Sequence, residues 1–325
     1  MAHPALKRFT YFGQLGIFIG FVGAGLVVAA LINLIPLMTN SDLKGLMGSS
    51  QKNLLEKLFV PKNAGILRLV QFLSTLFLFF LPTFIYAKVC HKRAALHLGF
   101  KNKVTINQVV TAVSIMLVAL PLSSFLSQLT EMLPFSEATM QKFKLAEEES
   151  QKQIEIIGRM NNFGDFLLSF FMLAILPAIF EETIFRGGLQ NLLTRWFKMP
   201  ILAIIITSLI FSASHFSYLG FLSRVALGFV LGWMYYRTGN LWLSIIGHMV
   251  NNAVIICVIY YMKINKPGVD LNEAEPDFPI WFGLISLGIM IMLLFAFERV
   301  SKHQIIEPGK EIVMEDEASN PFNQG

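Results

Sequence analysis

The sequence predicts an all-α fold: a polytopic integral membrane protein of about eight transmembrane helices, with its functional site in a cavity of the helical bundle. Of the 325 residues, 54% are hydrophobic and only 14% are charged, a balance far from that of soluble domains. Apolar stretches of about 20 residues, enough to cross roughly 30 Å of hydrocarbon, mark the helices. They occur at 12–38, 69–87, 107–128, 163–196, 200–217, 219–236, 241–262 and 280–297.

The first stretch is longer than the apolar region of a secretory signal and lacks a small-residue cleavage site, so we expect it to be retained as a helix. Pro82, Pro121 and Pro177 lie inside three of the other stretches. Membrane helices tolerate proline because their neighbours can satisfy the freed carbonyl groups. The prolines therefore mark candidate kinks and not helix ends.

Lysine and arginine collect in the loops on one side of the predicted bundle. They are Lys7, Arg8, Lys88, Lys92, Arg93, Lys101, Lys103, Arg195, Lys198, Arg237, Arg299 and Lys302. Because cytoplasmic loops are rich in these residues, we predict a plasma (inner) membrane protein with both termini in the cytoplasm. One loop, with Lys44, Lys52, Lys57 and Lys62, departs from the pattern. The net charge of +5 reflects residues that flank the spans, and no nucleic-acid partner is expected.

Two segments outside the spans can also be interpreted. The stretch 134–160 mixes apolar and charged residues, which predicts a helix lying on the membrane surface or packed over the bundle, with a solvated connector as the alternative. The chain after Ser301 is polar, as flexible tails are. We therefore divide the chain into N-terminal spans with an amphipathic connector (1–162), a catalytic core (163–262), and the last span with its tail (263–325).

Three ionisable residues lie in the middle of the fourth stretch, away from Asp165 and Arg195 near its ends: Glu181, Glu182 and Arg186. An ionised group in hydrocarbon costs roughly 3 kcal/mol or more, so such groups usually face a protein interior and indicate function. Glu182 and Arg186 are spaced i, i+4 on one helix and can pair. Such a pair would lower the cost of burying both charges and fix the helix that carries Glu181.

His215 and His248 are the two histidines inside predicted spans. Glu181 and His215 lie equally far along the chain from Lys198, where the fourth and fifth helices turn, so antiparallel helices place both at one depth. His248 and Asn252 share a helix face. Both residues follow the turn near Gly239 and lie at a depth similar to that of Glu181 and His215.

This group of side chains fits hydrolysis of an amide bond. Glu181 can act as a general base towards a water molecule, while His215 orients that water or carries a proton. Donors from His248 and Asn252 can stabilise the developing oxyanion.

Each residue also has a plainer interpretation when taken alone. A single buried histidine such as His215 is more often a hydrogen-bonding partner between helices than a catalyst, and Asn252 can bridge helices in the same way. Phe211 is most simply a packing residue. Gly228 and Gly232, spaced as G-x-x-x-G, indicate close helix contact. The combination at one depth is what favours a site.

Three motifs in the core segment carry a resemblance to a known family. They are Glu181-Glu182-Thr-Ile-Phe-Arg186, Phe211-Ser-Ala-Ser-His215 and His248-Met-Val-Asn-Asn252. The chain resembles the membrane-protease family that includes the type II CAAX prenyl endopeptidases and the bacteriocin-processing and abortive-infection proteins. Its motifs are Glu-Glu-x-x-x-Arg, Phe-x-x-x-His and His-x-x-x-Asn, and the likeness covers roughly residues 163 to 262.

The resemblance implies a water-activating pair, Glu181 with His215, and no cofactor. It also implies an oxyanion-stabilising pair, His248 with Asn252. The other motif positions are filled by supporting residues, which are Glu182, Arg186 and Phe211. The implied partners are the lipid bilayer and a membrane-associated peptide or protein substrate, with nothing in the sequence that indicates a prenyl-binding groove.

Three other functions are consistent with these residues. A zinc-dependent membrane metallopeptidase could use Glu181, His215 and His248 as ligands, a known zinc set, although no H-E-x-x-H helix is present. A proton-coupled transporter also carries Glu and His in mid-membrane, but the sequence shows no inverted repeat. A non-catalytic immunity or scaffold protein would not depend on the site residues.

Overall fold

The structure, a computed structural model, describes residues 9–39, 57–101, 103–265 and 278–301, and these ranges contain helices and no strand. The helices are α1 (Tyr11–Thr39), α2 (Pro61–Cys90), α3 (Ala94–His97), α4 (Ile106–Glu131), α5 (Glu137–Ile157), α6 (Phe163–Phe197), α7 (Pro200–Ala213), α8 (Phe221–Thr238), α9 (Leu241–Asn265) and α10 (Ile280–Ser301). The predicted all-α polytopic fold is confirmed.

Six of these helices are long and apolar enough to cross a membrane, namely α1, α2, α4, α6, α9 and α10. The predicted count of eight is not confirmed within the described ranges. α7 has 14 residues and is about 21 Å long, shorter than a hydrocarbon core of roughly 30 Å. α8 has 18 residues but includes Arg224 and Arg237, which lower its hydropathy. Both helices lie at the predicted positions and pack against each other.

Some predicted features lie outside the described residues. They are the basic residues Lys7 and Arg8, the loop residues Lys44 and Lys52, and the polar tail after Ser301.

Short polar signals define where the central helices begin. Thr105 and Gln108 form a capping box at α4, in which each side-chain oxygen accepts from the other residue's backbone N–H at 3.3 and 3.0 Å. Ser136 caps α5 and Asn162 caps α6, each with a side-chain oxygen that accepts from a backbone N–H of the first turn. The cap at Asn162 sets the start of the helix that carries the two glutamates.

Two of the three prolines follow a π-helical segment. These segments are Leu76–Phe80 before Pro82 and Phe171–Ile175 before Pro177. A proline ring clashes with the carbonyl group four residues earlier, and a wider π turn relieves that clash while the helix continues. α4 passes Pro121 without such a segment. The expected irregularities are therefore present at two of the three sites.

Two apolar clusters hold the bundle together. One joins α1, α2, α6 and α7 and includes Phe18, Tyr86 and Phe185. The other joins α4, α8, α9 and α10 and includes Met116 and Phe297. The polar side chains of α6 lie where these two halves of the bundle meet, because they bond to groups on α8 and α9.

α5 packs over one end of the bundle. Its residues Phe143 and Glu147 are partly buried, whereas Glu148 is exposed. At the far end of the helix, Arg68 of α2 donates to the carbonyl oxygen of Ile157 at 2.7 Å. The helix predicted for this segment is present, and it contacts the bundle near Ile157.

Candidate active site

Glu182 takes part in a buried ion pair at the centre of α6. Its Oε1 lies 2.8 Å from Nη1 of Arg186, and the two side chains are 0% and 1% exposed. Arg186 Nη2 also donates to the carbonyl oxygen of Gly228 in α8 at 3.1 Å. Opposite charges are tolerated in an apolar interior when they are paired and hydrogen-bonded. The ion pair predicted from the i, i+4 spacing is present, and the second hydrogen bond of Arg186 connects α6 to α8.

His248 of α9 contacts the same carboxylate. Its Nδ1 lies 2.9 Å from Glu182 Oε1. Because an ionised carboxylate only accepts hydrogen bonds, Nδ1–H is the donor, and this bond fixes the orientation of the ring. The other ring nitrogen, Nε2, lies 3.9 Å from Oε2 of Glu181.

His215 lies just after the C-terminal end of α7 and contacts Glu181 as well. Its Nδ1 is 2.8 Å from the carbonyl oxygen of Phe211, and since a carbonyl only accepts, Nδ1–H is again the donor. Its Nε2 is 3.6 Å from Glu181 Oε2. The expected proximity of Glu181 and His215 across the α6–α7 hairpin is therefore present.

Glu181 thus has two imidazole nitrogens beside one carboxylate oxygen. In the part of the chain that the structure describes, Oε2 has no hydrogen-bond partner within normal distance. The Glu181 side chain is 14% exposed and that of His215 is 30% exposed. A water molecule placed within hydrogen-bonding distance of Oε2 and of His215 Nε2 would satisfy both groups. The arrangement suits activation of water beside the partly exposed His215 side chain.

Phe211 contacts three of the other site residues. Its ring centroid lies 4.6 Å from Cζ of Arg186, 4.8 Å from the His215 ring centroid and 5.8 Å from that of His248. A guanidinium at this distance from an aromatic ring is held by a cation–π interaction. The packing role expected for Phe211 therefore extends to the orientation of both histidines.

Asn252 lies about one turn beyond His248 on α9. Its Nδ2 is 3.4 Å from the carbonyl oxygen of Leu173, and its Oδ1 is 3.4 Å from Nδ2 of Asn251. Both distances are long for hydrogen bonds, and the amide has a second N–H available. Among the described residues, the structure therefore attaches Asn252 to α6 and not directly to the two glutamates.

Gln190 is a site neighbour that the sequence reasoning missed. Its Nε2 donates to the carbonyl oxygen of Gly232 at 2.8 Å, one turn along from the contact between Arg186 and Gly228. Because both contacts advance in the same direction, α6 and α8 run parallel here. A Cβ at Gly228 would lie 3.1 Å from Cβ of Ser208, and one at Gly232 would lie 2.6 Å from Gln190 Oε1. The close helix contact expected at both glycines is present. Gln190 follows Arg186 by four residues, as Gly232 follows Gly228, and this shared spacing could have identified Gln190.

A third π-helical segment, Thr183–Gln190, directly follows the two glutamates and carries Arg186. Such segments are frequent at functional sites because they change the direction of the side chains that follow. Gly187 and Gly188 lie inside it, and a Cβ there would be 2.9 Å from the Leu98 carbonyl oxygen and 2.8 Å from the Phe18 ring. α6 therefore also packs closely against α1 and the segment after α3.

The structure joins six of the seven predicted residues through direct contacts, with Asn252 next to them. Their chemical roles stay predictions. No group of three or more His, Cys, Asp or Glu side chains in the described ranges is arranged to hold a metal ion.

Comparison with known proteins identifies the family of this segment. The family model described as "Type II CAAX prenyl endopeptidase Rce1-like" matches residues 163–254. The chain is also similar to "Uncharacterized protein YpbD" of Bacillus subtilis (strain 168), with 37% identity over 98 residues, which is 29% of this chain and 47% of that relative. The chain thus spans about half the length of the curated relative it matches, and no solved structure matches. The family resemblance seen in the three motifs is confirmed, since residues 163–254 match the model of the Rce1-like type II CAAX prenyl endopeptidases.

Proposed function

We propose that this protein is an intramembrane endopeptidase that hydrolyses a peptide bond in a membrane-associated peptide or protein. The observation that carries the proposal is the carboxylate oxygen of Glu181 beside Nε2 of both His215 and His248, at 3.6 and 3.9 Å. The matched family, described as a prenyl endopeptidase, supports peptidase chemistry.

In the proposed reaction, Glu181 removes a proton from a water molecule that is also held by Nε2 of His215. The resulting hydroxide attacks the carbonyl carbon of the scissile bond, and the carbonyl oxygen becomes an oxyanion. The proton then passes from Glu181 to the leaving amine as the carbon–nitrogen bond breaks. General acid–base transfer of this kind contributes about 10²- to 10⁴-fold to a rate.

His248 can assist the oxyanion in one protonation state. Its Nδ1–H donates to Glu182, so Nε2 donates only when the ring is the doubly protonated imidazolium. The second amide hydrogen of Asn252 supplies the other proposed donor, and donors aimed at a developing oxyanion lower the barrier.

A cleavage assay in liposomes against a library of membrane-anchored peptides tests the proposal. The comparison is wild type with Glu181→Gln, which keeps the shape of the side chain but removes the base. We expect at least a 100-fold loss of cleavage, and no loss in Glu155→Gln, an exposed position on α5. Equal cleavage by wild type and Glu181→Gln would contradict the proposal.

Two further experiments separate the proposal from the zinc-enzyme and scaffold alternatives. A zinc enzyme with Glu181, His215 and His248 as ligands would lose activity on chelation and regain it with zinc, whereas we expect cleavage to persist after chelation. A scaffold or immunity protein would still complement a deletion strain when it carries Glu181→Gln, and we expect that variant to fail.

We further propose an inner-membrane protein with both termini in the cytoplasm, as the basic loops suggest.

A further inference from the structure

His215 is carried by a short loop, residues 214–220, which we call the His215 loop. Its next residue, Phe216, has a positive φ of 52°. The left-handed region is unfavourable for a bulky side chain, and such residues keep this conformation only where the surroundings impose it. Phe216 itself is 78% exposed, so its own side chain does little to fix the backbone. The contacts that hold the loop must be found at its other residues.

Two of those contacts come from α5. Ser217 is buried, and its Oγ donates to Oε2 of Glu147 at 2.7 Å. The ring of Tyr218 stacks on that of Phe143, with 4.3 Å between centroids and 18° between planes. A hydroxyl donating to a carboxylate is a charge-assisted bond and among the stronger ones. Both partners lie one turn apart on the same face of α5.

The inward direction of Glu147 distinguishes it from its neighbours. Glu148 and Glu149 are exposed, whereas Glu147 is partly buried. A carboxylate on an amphipathic helix would ordinarily be directed to water, where it is best solvated. Here it points to the hydroxyl of Ser217 instead, beside the most exposed site residue.

α5 is also fixed at its other end, so it can act as a rigid support. Arg68 of α2 donates from Nε to the Ile157 carbonyl oxygen and from Nη2 to the Arg159 carbonyl oxygen, both at 2.7 Å. Ile157 and Met160 are buried. α5 therefore connects the His215 loop to α2, an element that the loop's own hydrogen bonds do not reach.

The loop has local bonds as well, which attach its first residues to the end of α7. Ser214 Oγ and His215 Nδ1 both donate to the Phe211 carbonyl oxygen, at 2.7 and 2.8 Å. The backbone N–H groups of His215 and Phe216 donate to the carbonyl oxygens of Ser212 and Ala213 at 3.2 Å. Arg224 Nη1 lies 3.5 Å from the Ser217 carbonyl oxygen, at the limit for a hydrogen bond. The short contacts of the loop to a distant element are those made by α5.

We infer that Glu147 and Phe143 of α5 are positioning residues that hold the His215 loop so that Nε2 of His215 faces Glu181. The inference rests on the proposed peptidase function for its effect on rate. It also assigns a role to α5, which lies outside the segment 163–254 that matches the family model. The support for the His215 loop therefore comes from residues that the family model does not cover. Displacement of a catalytic group by about 1 Å can cost on the order of 100-fold in rate, which is why a support outside the site matters.

The test uses four variants of the full-length protein in liposomes: Glu147→Ala, Glu147→Gln, Ser217→Ala and the double variant Glu147→Ala with Ser217→Ala. We expect kcat to fall about 10-fold in each alanine variant with KM changed less than about twofold, because the loss is one of alignment. Glu147→Gln keeps an acceptor for Ser217 and should recover most of kcat. The double variant should be no slower than either single one, since both remove the same bond.

Glu149→Ala, at an exposed position on the same helix, is the matched control and should behave as wild type. A second readout is amide hydrogen exchange of residues 214–220, which should become faster in Glu147→Ala and Phe143→Ala but not in Glu149→Ala. Unchanged kcat in Glu147→Ala and Ser217→Ala, in a wild-type protein that cleaves, would overturn the inference while the peptidase proposal stands. If wild type cleaves nothing, the peptidase proposal fails, and unchanged hydrogen exchange would then overturn the positioning of the loop by α5.

Discussion

The two adjacent glutamates of α6 have different surroundings although they are neighbours in sequence. Glu182 is fully buried and bonds to both Arg186 and His248. The Oε2 atom of each carboxylate lacks a hydrogen-bond partner among the described residues, but only Glu181 is partly exposed. One carboxylate is therefore held by the structure, and the other is available to a water molecule.

This difference predicts opposite effects of two similar substitutions. Glu182→Gln leaves the Arg186 cation buried without its counter-charge, and we expect a loss of about 3 kcal/mol in the free energy of unfolding. Glu181→Gln should change that free energy by less than about 1 kcal/mol but abolish cleavage. Thermal unfolding in detergent and the cleavage assay measure the two quantities. A Glu182→Gln protein as stable as wild type would contradict the prediction.

A stacked histidine pair lies just beyond α2, with 3.4 Å between the ring centroids of His91 and His97. Burial, and then the Arg195 guanidinium, lowers the pKa of His91 from 6.5 to about 3, and burial also lowers the pKa of His97. The unfolded chain binds protons below about pH 6.5 and the folded pair does not, so stability should fall as the pH decreases from 6.5 towards 3. Unfolding temperatures at pH 7 and 5 should differ less in His91→Phe than in wild type. An equal difference in the two proteins would show that the histidine pair does not contribute to the pH dependence of stability.

At the scale of the helices, close packing of α1 on the π segment of α2 depends on one glycine. A Cβ at Gly25 would overlap the carbonyl oxygen of Phe77 and lie 2.7 Å from Cγ of Pro82, whereas Gly23 has nothing within 4 Å. We expect Gly25→Ala to lower the free energy of unfolding by about 1–3 kcal/mol through overpacking. Gly23→Ala should be neutral or slightly stabilising because alanine favours helix. Equal unfolding temperatures for the two variants would contradict this account.

The positions of the helices could be predicted because apolar length and flanking charge determine them. The number that cross the membrane could not, since α7 and α8 are apolar over their predicted ranges but α7 ends at Ala213. Continuing α7 to residue 217 would have needed a helical Phe216, whose φ is positive. The π segments were also beyond prediction, because proline indicates an irregularity without specifying its form.

The candidate site was largely predictable because a hairpin relates Glu181 to His215 by chain length alone. The same reasoning could not give the orientation of either imidazole, which depends on acceptors supplied by Glu182 and Phe211. It could not give the contact between α5 and the His215 loop either. Glu147 and Ser217 are 70 residues apart, and no periodicity relates the two segments.

At the scale of the whole molecule, α5 and the basic loop after α2 lie at opposite ends of the helix bundle by chain order. The positive-inside rule then predicts that α5 faces away from the cytoplasm. In a variant without Cys90 and Cys257, a cysteine at exposed Glu148 should react with an impermeant maleimide in intact cells. A cysteine at exposed Lys92 should react only after the membrane is permeabilised. The reverse pattern would invert the proposed topology.

The bonds from Arg186 and Gln190 to α8 also bear on how the chain is made. α6 carries charged and amide groups that lipid solvates poorly, yet the carbonyl oxygen that accepts from Arg186 is synthesised 42 residues later. At roughly 5–20 residues per second, this delay is a few seconds. During that time α6 must remain in contact with water or with the insertion machinery, since its partners on α8 and α9 do not yet exist. Biosynthesis should therefore release α6 into the bilayer together with α8 and α9, so that the helix with the two glutamates is inserted as part of a group and not alone.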